Sequence, residues 1–600
     1  MKLSDYVLAR VAQAGADHVF MLPGGGCMHL VDSLGRNREL GYTVNLHEQA
    51  CAVAADAYAQ CRNGLGVALV TTGPGGSNAL TGVAASYLDS IPVLILSGQV
   101  KRGDFAAPKG VRQLGFQELD IVAMASPVTK YAAVVTDPAQ IRRHLDLALH
   151  LARDRRPGPV WLDLPLDVQA AEVEPDRLEG WTPAPPPDPD QAKLAQSART
   201  ILGLLAGARR PAILVGNGVR HARAERLFLD LAETLGVPVL PTWKAADLIP
   251  DDHPLHAGRP GAAGQRAANF TQQNADWLLV LGARLDYGQV AYMHATFAPG
   301  AAKIVVDIDP AEIGKLAMPL AHAVCADCGD LLRALAREAA ALPRAYGHRP
   351  EWLERIRSWR ERYPVVLPEY WKARKPVNNY VLVEAISRNL RAGDLVVPGS
   401  SGACSELTCQ AIRLPASVRM LNSQGLGPMG FCIPAALGAC IASGGRRTIA
   451  IDGDGGFQMN VQELETVRRL GLPITFFVLD NQGYGSIRQS QRNYFQGRMV
   501  ASDAGSGLTL PDPVRVAEAY GIPALRLASQ EGLVERVGEL LDQPGPRVVA
   551  VAIDPDQPTQ PRAVSYQRPD GTMATRPMED LFPLLDRAEL EANMIRPEDR

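Results

Sequence analysis

The chain has 600 residues, of which 46% are hydrophobic and 21% charged, a size and composition typical of a globular enzyme with roughly three or four domains. A formal net charge of −3 gives no reason to expect nucleic acid as a partner, and since no run reaches about 18 apolar residues, we expect no membrane span. The nine cysteines, an odd number scattered through apolar segments, favour reduced thiols and a cytoplasmic location over a disulfide framework.

Short runs rich in Val, Ile and Leu alternate with longer helical patterns along most of the chain. The runs that we predict to be strands lie at residues 18–22, 66–71, 92–97, 211–215, 277–281, 303–306, 448–451 and 474–479. Strands that are apolar on both faces belong in parallel sheets covered by helices. The pattern therefore predicts an α/β fold made of three doubly wound parallel-sheet domains.

Two breaks in composition divide the chain. Residues 181–190 (WTPAPPPDPD) form a proline-rich linker that cannot continue a helix or a central strand, and residues 341–376 are a charged, Arg- and Trp-rich helical stretch. We therefore expect an N-terminal domain at 1–175, a central domain at 190–340, a C-terminal domain at 375–560 and a polar tail at 561–600. The tail either packs over an active-site rim or a partner subunit, or it frays.

Three segments of the first domain stand next to predicted strands. Residues 23–26 (PGGG) follow the strand at 18–22, and residues 72–78 (TGPGGSN) form a second glycine turn after the strand at 66–71. Glu48 closes another strand and opens a helix predicted at 50–60. An acid at a helix start is usually explained by the helix dipole, so none of these segments identifies a site by itself.

The central domain carries the pattern of a six-stranded dinucleotide-binding fold. The turn 216–218 (GNG), residues 282–286 (GARLD) and residues 306–309 (VDID) each follow a predicted strand. Arg284 is a candidate partner for a diphosphate, and residues 258–264 (GRPGAAG) are candidates for part of the groove. Cys325 and Cys328 have the spacing of metal ligands, but no second pair lies nearby, so we interpret them as ordinary core or loop residues.

The strongest chemical pattern lies at 451–457 (IDGDGGF) in the C-terminal domain. A buried strand ends there in a Gly-Asp-Gly turn around Asp454, and the next predicted strand ends in Asp-Asn, with Asn481 27 residues after Asp454. Because neighbouring parallel strands end at one rim of a sheet, we expect both side chains to meet there and, with a backbone carbonyl and diphosphate oxygens, to hold Mg²⁺. A helix predicted to begin near Met459 would turn its positive end toward the phosphate. The alternative is an Asp at a helix cap and an Asn in a turn.

This pattern resembles the thiamine diphosphate signature, and residues 1–560 as a whole are similar to the acetolactate synthase-like group of thiamine diphosphate enzymes. The resemblance implies thiamine diphosphate and Mg²⁺ as cofactors, with the main-chain oxygen of Gly483 as a ligand beside Asp454 and Asn481. It makes Glu48 the acid that protonates the aminopyrimidine ring, a task that suits a buried carboxyl. In this family Glu48 and the metal site come from different subunits, which implies a homodimer or homotetramer. The first domain would bind the pyrimidine and the third the diphosphate.

The resemblance also assigns residues around the cofactor. Pro23 and Gly25 would border the reacting carbon, Gln117 would orient the donor, and His47 either relays protons or is structural. The other implied contacts are Pro74 and Asn78 at the pyrimidine, Gly427 and Met429 at the bend between the two rings, and Gly399, Ser400, Ser401, Gly402, Gly453, Gly455 and Gly456 at the diphosphate.

The central domain of acetolactate synthases binds FAD that takes no part in net redox chemistry. The resemblance therefore implies FAD here, with Arg284 at its diphosphate or ribityl chain. Other relatives leave this domain empty or bind a different nucleotide, and the residues alone do not choose between these outcomes.

Two departures from the acetolactate synthases concern the substrate. Ser490 stands where relatives that add to a small 2-oxo acid carry a Trp, and Leu166 stands where they usually carry a Lys. A missing indole opens a large volume, and a missing amine alters the selection of anions. Residues 116–118 (FQE) match the family on the donor side. The substrate pocket is expected to include Phe116, Tyr484, Ile487 and Ser490.

The predicted function is decarboxylation of a 2-oxo acid, with pyruvate as donor, and ligation of the acyl carbon to a bulkier carbonyl acceptor such as a keto-sugar. Acetolactate synthase proper, a simple 2-oxo acid decarboxylase and an enzyme that passes electrons to FAD are the alternatives. A non-catalytic regulatory homologue is the alternative from another class, and the intact Glu48, Asp454 and Asn481 argue against it.

Overall fold

The computed structural model describes residues 1–185, 190–400, 402–568 and 570–595. Residues 186–189 of the expected linker, the expected diphosphate contact Ser401 and the end of the tail at 596–600 lie outside the described residues. The described chain forms three parallel sheets of five or six strands and one small antiparallel hairpin. These three helix-covered parallel sheets confirm the predicted α/β fold class.

The N-terminal domain is built on a six-stranded sheet. Its strands are β1 (His18–Met21), β2 (Gly41–Val44), β3 (Gly66–Val70), β4 (Val93–Gln99), β5 (Tyr131–Val134) and β6 (Val160–Pro165), in the order β2-β1-β3-β4-β6-β5. Its helices are α1 (Leu3–Gln13), α2 (Met28–Arg36), α3 (Glu48–Arg62), α4 (Pro74–Asp89), α5 (Ile121–Ala125), α6 (Ile141–Leu151) and α7 (Leu166–Gln169). The glycine turn expected at 72–78 is shorter than predicted, because α4 already begins at Pro74, a residue suited to the first helical position.

The central domain has a five-stranded sheet in its described part. Its strands are β7 (Pro211–Val215), β8 (Val239–Pro241), β9 (Trp277–Leu281), β10 (Ala302–Asp307) and β11 (His322–Cys325), in the order β11-β10-β9-β7-β8. Its helices are α8 (Gln191–Ala206), α9 (Gly218–His221), α10 (Glu225–Leu235), α11 (Arg266–Asn274), α12 (Pro310–Gly314), α13 (Cys328–Ala339) and α14 (Pro350–Arg362). The expected sixth strand is missing here because helices α13 and α14 follow β11 and leave no apolar run of strand length.

The C-terminal domain repeats the six-stranded arrangement. Its strands are β12 (Leu395–Pro398), β13 (Arg419–Met420), β14 (Thr448–Gly453), β15 (Ile474–Asp480), β16 (Ala524–Leu527) and β17 (Arg547–Ala552), in the order β13-β12-β14-β15-β17-β16. Its helices are α15 (Asn379–Arg388), α16 (Gly402–Ala411), α17 (Cys432–Ala442), α18 (Asp454–Gln458), α19 (Glu463–Arg469), α20 (Gly485–Tyr494), α21 (Pro513–Ala519) and α22 (Leu533–Asp542). The N-terminal and C-terminal domains share one core, in which the alanine-rich helix α3 packs against α17.

The tail contains the hairpin β18 (Ser565–Gln567) and β19 (Met573–Thr575) and the helix α23 (Arg587–Asn593). The structure packs it against α11 and α14 of its own central domain, where Asn269 Nδ2 donates to the Met578 carbonyl at 2.8 Å and Trp359 Nε1 donates to Asn593 Oδ1 at 2.8 Å. Met578 is buried in that contact. Throughout the described chain, every helix is too short or too polar to reach from one side of a membrane to the other.

Candidate active site

The expected magnesium site, formed by Asp454, Asn481 and Gly483 and here named the metal turn, lies where two neighbouring strands of the C-terminal sheet end. Strands β14 and β15 run parallel with Gly453 opposite Leu479, so Asp454 and Asn481 each follow a strand end at the same rim. Asp454 is buried and accepts hydrogen bonds from the Gly455 amide at 2.8 Å and the Gly483 amide at 3.2 Å. The structure therefore brings Asp454 and Gly483 into direct contact and places Asn481 beside them.

The helix expected near Met459 begins earlier than predicted. Helix α18 starts at Asp454 immediately after β14 and ends at Gln458, and the next helix starts only at Glu463. The earlier start is reasonable because an acid is favoured in the first turn of a helix. Asp454 thus lies in the first helical turn instead of in the loop before it.

The chemistry of this turn fits a divalent cation. The buried Asn481 Oδ1 receives no hydrogen bond from any described residue. An unpaired buried acceptor destabilises the folded state unless another group, such as a bound cation, pairs with it. Burial, with the nearby Asp480 charge, raises the pKa of Asp454 to about 6 in the absence of a cation. A bound cation would favour the ionised carboxylate. No group of three or more His, Cys, Asp or Glu side chains in the described chain could hold a metal, but this turn needs only one carboxylate beside amide and carbonyl oxygens.

The residues expected at the diphosphate surround this turn. A side chain at Gly399 or Gly456 would collide with the buried Asp452 carboxylate, so glycine is required for the backbone to approach there. Burial raises the pKa of Asp452 to about 7. The buried Ser400 Oγ has no hydrogen-bond partner among the described residues, and Gly402 is the first residue of α16.

Met429 meets the same turn from the other side. A Cβ atom placed on Gly455 would lie 3.3 Å from Met429 Cε and 2.5 Å from the Tyr484 ring, so both side chains converge on this glycine. Gly427 adopts a left-handed φ of 61° beside the Ser400 carbonyl. Met429, Gly427, Tyr484 and the metal turn therefore form one continuous wall.

The second group of expected residues is assembled in the N-terminal domain. Glu48 begins α3 with only 7% of its surface exposed, and Asn78 Nδ2 donates to Glu48 Oε2 at 3.0 Å. Asn78 stands in the first turns of α4, which Pro74 begins. His47 accepts a hydrogen bond from the Gln49 amide at 3.1 Å and so caps α3, which favours the structural role for this histidine.

The loops expected to touch substrate are exposed beside this group. Pro23 and Gly25 are exposed, and the turn that contains them is held by the Gly26 amide, which donates to Thr71 Oγ1 at 3.2 Å. Phe116 is 86% exposed, and Gln117 has a left-handed φ of 62° that is uncommon for a residue other than glycine. Strained backbone conformations of this kind are enriched at active sites and ligand clamps.

Helix α20 carries the expected acceptor residues. Ile487 is 47% exposed, and the exposed Ser490 lies one turn further along the same face and donates to the Ser486 carbonyl at 3.0 Å. On the opposite face, the buried Arg488 donates to the Asn481 carbonyl at 2.9 Å. The helix that presents Ser490 is thus anchored directly to the metal turn. Leu166 begins helix α7 of the N-terminal domain.

Three family models cover most of the described chain. The models for the thiamine pyrophosphate enzyme N-terminal TPP binding domain, central domain and C-terminal TPP binding domain match residues 1–124, 198–335 and 400–551. An acetolactate synthase of Mycobacterium bovis is 34% identical over 588 residues, which cover 96% of this chain and 92% of the relative. The acetolactate synthase isozyme 1 large subunit of Escherichia coli is 30% identical over 560 residues, covering 93% and 95%. An acetolactate synthase large subunit of Parasynechococcus marenigrum is 34% identical over 550 residues, covering 90% and 85%.

The chain belongs to the acetolactate synthase-like family of thiamine pyrophosphate enzymes. This membership confirms the resemblance inferred from the Gly-Asp-Gly turn and the Asp-Asn strand end. The two matched TPP binding domains are the domains that hold Glu48 and Asp454.

Sequence reasoning missed a residue that joins these two domains in this family member. Glu463 is buried, and its carboxylate accepts hydrogen bonds from the Leu46 amide at 2.7 Å and from Asn45 Nδ2 at 2.9 Å. Burial raises the pKa of Glu463. The strand end that leads into Glu48 is therefore fixed to helix α19, which follows the metal turn. No hydrogen bond of the described residues joins Glu48 itself to Asp454.

The central domain of this family member contains a cavity of about 560 Å³ at the carboxyl ends of β7, β8, β9 and β10. The sheet order reverses between β7 and β9, which is where parallel sheets bind ligands. A side chain at Gly216 would collide with the Gly282 carbonyl, so both glycines are needed for these strand ends to close together. Arg284 lines the cavity, but it pairs with Asp286 at 2.9 Å and donates to the Leu88 carbonyl at 2.9 Å.

The cavity is not built by the central domain alone. Its lining includes residues 260–263 from the expected groove segment, and it also includes Asp89 and Arg156 of the N-terminal domain, Gln424 of the C-terminal domain and Arg562 of the tail. These contributions depend on how the domains pack, and no local pattern in the sequence indicates them. Cys328 also lines this cavity, whereas Cys325 is exposed.

Proposed function

We propose that this enzyme decarboxylates pyruvate and ligates the acyl carbon to a carbonyl acceptor. The observation that carries the proposal is the presence, in the two TPP binding domains, of the two buried groups that the two ends of thiamine diphosphate would need. One is the unpartnered Asn481 Oδ1 beside Asp454, and the other is the Glu48 carboxyl held by Asn78. Membership in the acetolactate synthase-like family supports the same reaction.

Each group has a distinct task in this proposal. When bound, thiamine diphosphate supplies the carbon nucleophile and the electron sink for loss of CO₂. Asp454, Asn481 and the Gly483 carbonyl would hold Mg²⁺ against the diphosphate, and Ser400 would donate to a phosphate oxygen. Glu48 would share a proton with the pyrimidine nitrogen as the acid partner of the aminopyrimidine ring. Gln117 and the turn at 23–26 would orient the 2-oxo acid.

We propose that the active site forms between two copies of the chain, in a homodimer or homotetramer. Phe116 at 86% exposure and Ile487 at 47% exposure are apolar side chains of the expected substrate pocket that remain open to solvent in one chain. Burying them against a second copy would remove this unfavourable exposure.

We also propose that the central cavity binds FAD. Its volume of about 560 Å³ suits a dinucleotide, and it lies at the point where the sheet order reverses. Arg284 and Arg562 supply cations for a diphosphate. The nine cysteines support a reducing compartment, so we propose a cytoplasmic location.

For the acceptor, we propose a carbonyl compound larger than a small 2-oxo acid, such as a keto-sugar. The small, exposed Ser490 lies on the same face of α20 as Ile487. Because the serine side chain fills little of the acceptor pocket, it leaves room for a larger acceptor. Acetolactate synthase proper is the second candidate, favoured because the relatives are acetolactate synthases.

The test uses purified enzyme with Mg²⁺, thiamine diphosphate and labelled pyruvate. Pyruvate alone, 2-oxobutyrate, simple aldehydes and keto-sugars would be offered as acceptors, and the carbon–carbon products identified by mass spectrometry and NMR. The proposal expects CO₂ release with a ligation product that forms fastest with a polyhydroxylated acceptor. Free acetaldehyde as the sole product would refute carboligation, and acetolactate as the preferred product would refute the larger acceptor.

A further inference from the structure

An acidic residue occupies an electrostatically unfavourable place at the end of helix α4. Asp89 is the last residue of this helix, where the helix dipole disfavours a negative charge. Its side chain is nevertheless only 4% exposed. A buried carboxylate at the negative end of a helix requires strong compensating partners. The groups that bind Asp89 therefore indicate which part of the molecule it stabilises.

The partners of Asp89 come from the two other domains. Asp89 Oδ1 accepts a hydrogen bond from the Gly425 amide at 2.8 Å, and Oδ2 accepts one from the Gln424 amide at 3.0 Å. Lys244 Nζ of the central domain approaches Oδ2 at 3.1 Å. Lys244 also donates to the Asn422 carbonyl. Hydrogen bonds from backbone amides to a carboxylate are stronger than neutral ones, so this junction fixes the backbone at 422–425.

The fixed segment leads directly to Met429. Met429 lies four positions after Gly425, a span of at most about 14 Å. A side chain at Gly425 would meet Leu88 Cβ at 2.6 Å, so the segment is pressed closely against the end of α4. Met429 in turn touches the position of Gly455 next to Asp454. A shift at Asp89 would therefore move the wall of the metal turn.

We infer that Asp89 is a positioning residue that sets Met429 in the cofactor site by holding the amides of Gln424 and Gly425. This inference rests on the proposed function, since it concerns the same thiamine diphosphate site. Asp89 touches neither Met429 nor the metal turn and acts only through the backbone of the 422–429 segment. Asp89 also lines the central cavity. The alternative role for Asp89 is therefore to bind the nucleotide proposed for that cavity.

The main test replaces Asp89 with asparagine and with alanine. Asparagine keeps one acceptor oxygen, whereas alanine removes both, so the dissociation constant of thiamine diphosphate is expected to rise about tenfold in Asp89→Asn and further in Asp89→Ala. It would be measured by fluorescence titration with Mg²⁺ present. The near-ultraviolet circular dichroism of the bound aminopyrimidine should also change, and kcat should fall more than KM for pyruvate rises.

Two control variants separate this role from others. Glu312→Gln removes a carboxylate from the same cavity that pairs with Arg156 and does not touch the 422–429 segment, so thiamine diphosphate affinity should stay unchanged. Lys244→Met keeps both amide hydrogen bonds to Asp89, and its effect on that affinity should be smaller than that of Asp89→Asn. Thiamine diphosphate affinity that is lowered by Lys244→Met but not by Asp89→Asn would overturn the inference, because the lysine and not the Asp89 carboxylate would then hold the segment.

The results also distinguish failure of the inference from failure of the proposed function. If the wild-type enzyme binds no thiamine diphosphate, both the positioning role of Asp89 and the proposed function are refuted. If the wild type binds it and Asp89→Asn binds it equally well while FAD content drops, only the positioning role is overturned. Because Asp89→Asn is nearly isosteric, a thermal midpoint close to that of the wild type would show that the comparison is made on folded protein.

Discussion

Replacing Arg259 with methionine should loosen the junction between the central and C-terminal domains. The Arg259 side chain is fully buried. Its Nε donates to the Cys409 carbonyl at 2.8 Å, its Nη1 lies 3.0 and 2.9 Å from the two Asp251 oxygens, and its Nη2 donates to the Ile412 carbonyl. Cys409 lies in the last turn of helix α16, which begins at the expected diphosphate contact Gly402, and Ile412 directly follows that helix.

The loss in the free energy of unfolding caused by Arg259→Met can be estimated from the buried groups that lose their partner. Burial alone would raise the pKa of Asp251, but the Arg259 guanidinium holds it below its usual value. Methionine would leave this carboxylate buried without its cation, which typically costs about 3–5 kcal/mol. Two main-chain carbonyls would also lose their donor, and because these effects overlap we expect a total near the upper end of that range.

The assay is urea denaturation followed by fluorescence and circular dichroism. Unfolding of a three-domain chain need not be two-state, so the measured quantity is the midpoint of the first transition. With a slope of about 2–3 kcal/mol per molar urea, the midpoint should fall by about 1.7–2.5 M. The difference from wild type should shrink at acid pH, because the stabilisation from the lowered pKa of Asp251 is lost as the pH falls through that value.

Two controls accompany this prediction. Arg226→Met breaks the exposed ion pair with Asp230 and should change the free energy of unfolding by less than about 1 kcal/mol. Arg259→Met combined with Asp251→Leu should recover part of the loss, because it removes the stranded charge. If Arg259→Met shifts the midpoint no more than Arg226→Met does, the reasoning about the buried junction is wrong.

Three further predictions concern the cofactor, the acceptor and pH. Asn481→Ala should weaken thiamine diphosphate binding by at least about tenfold in titrations with Mg²⁺, because an amide ligand is lost, and unchanged binding would contradict the metal role. Ser490→Trp should lower the rate with bulky acceptors relative to small 2-oxo acids by at least about tenfold, read from product ratios in competition. Burial raises the pKa of Asp163 to about 7, so this residue makes the wild type less stable as the pH rises from about 4 to 7. Asp163→Asn should flatten the pH dependence of the thermal midpoint in that window, and an unchanged slope would contradict this assignment.

Local patterns in the sequence predicted much of the fold. Strands β7 and β9 begin and end at the predicted residues, because continuous apolar runs bounded by polar residues specify buried parallel strands. The positions of Asp454 and Asn481 followed from the rule that parallel strands end at one rim. The start of α18 was predicted five residues too late, because the glycines after Asp454 suggested a loop although they continue directly into helix.

Features that depend on packing between domains were beyond local reasoning. The contact of Glu463 with Asn45 joins residues 418 positions apart, and the contact of Asp89 with Gly425 joins residues 336 positions apart. Neither carboxylate has a neighbour in sequence that marks it, and each is identified only by the partner that another domain brings to it. Nor did the sequence indicate that Arg284, the predicted contact for an FAD diphosphate or ribityl chain, also donates to the Leu88 carbonyl of another domain.

The central claim is that Glu48 activates a cofactor held at Asp454 and Asn481, and one comparison tests it most directly. CO₂ release from pyruvate would be measured for wild type, Glu48→Gln and the exposed control Glu39→Gln at saturating thiamine diphosphate, with cofactor affinity titrated in parallel. The account predicts that Glu48→Gln loses at least about hundredfold in rate while its cofactor affinity changes by less than about tenfold, and that Glu39→Gln behaves as wild type. Cofactor-dependent CO₂ release that survives Glu48→Gln undiminished would contradict it.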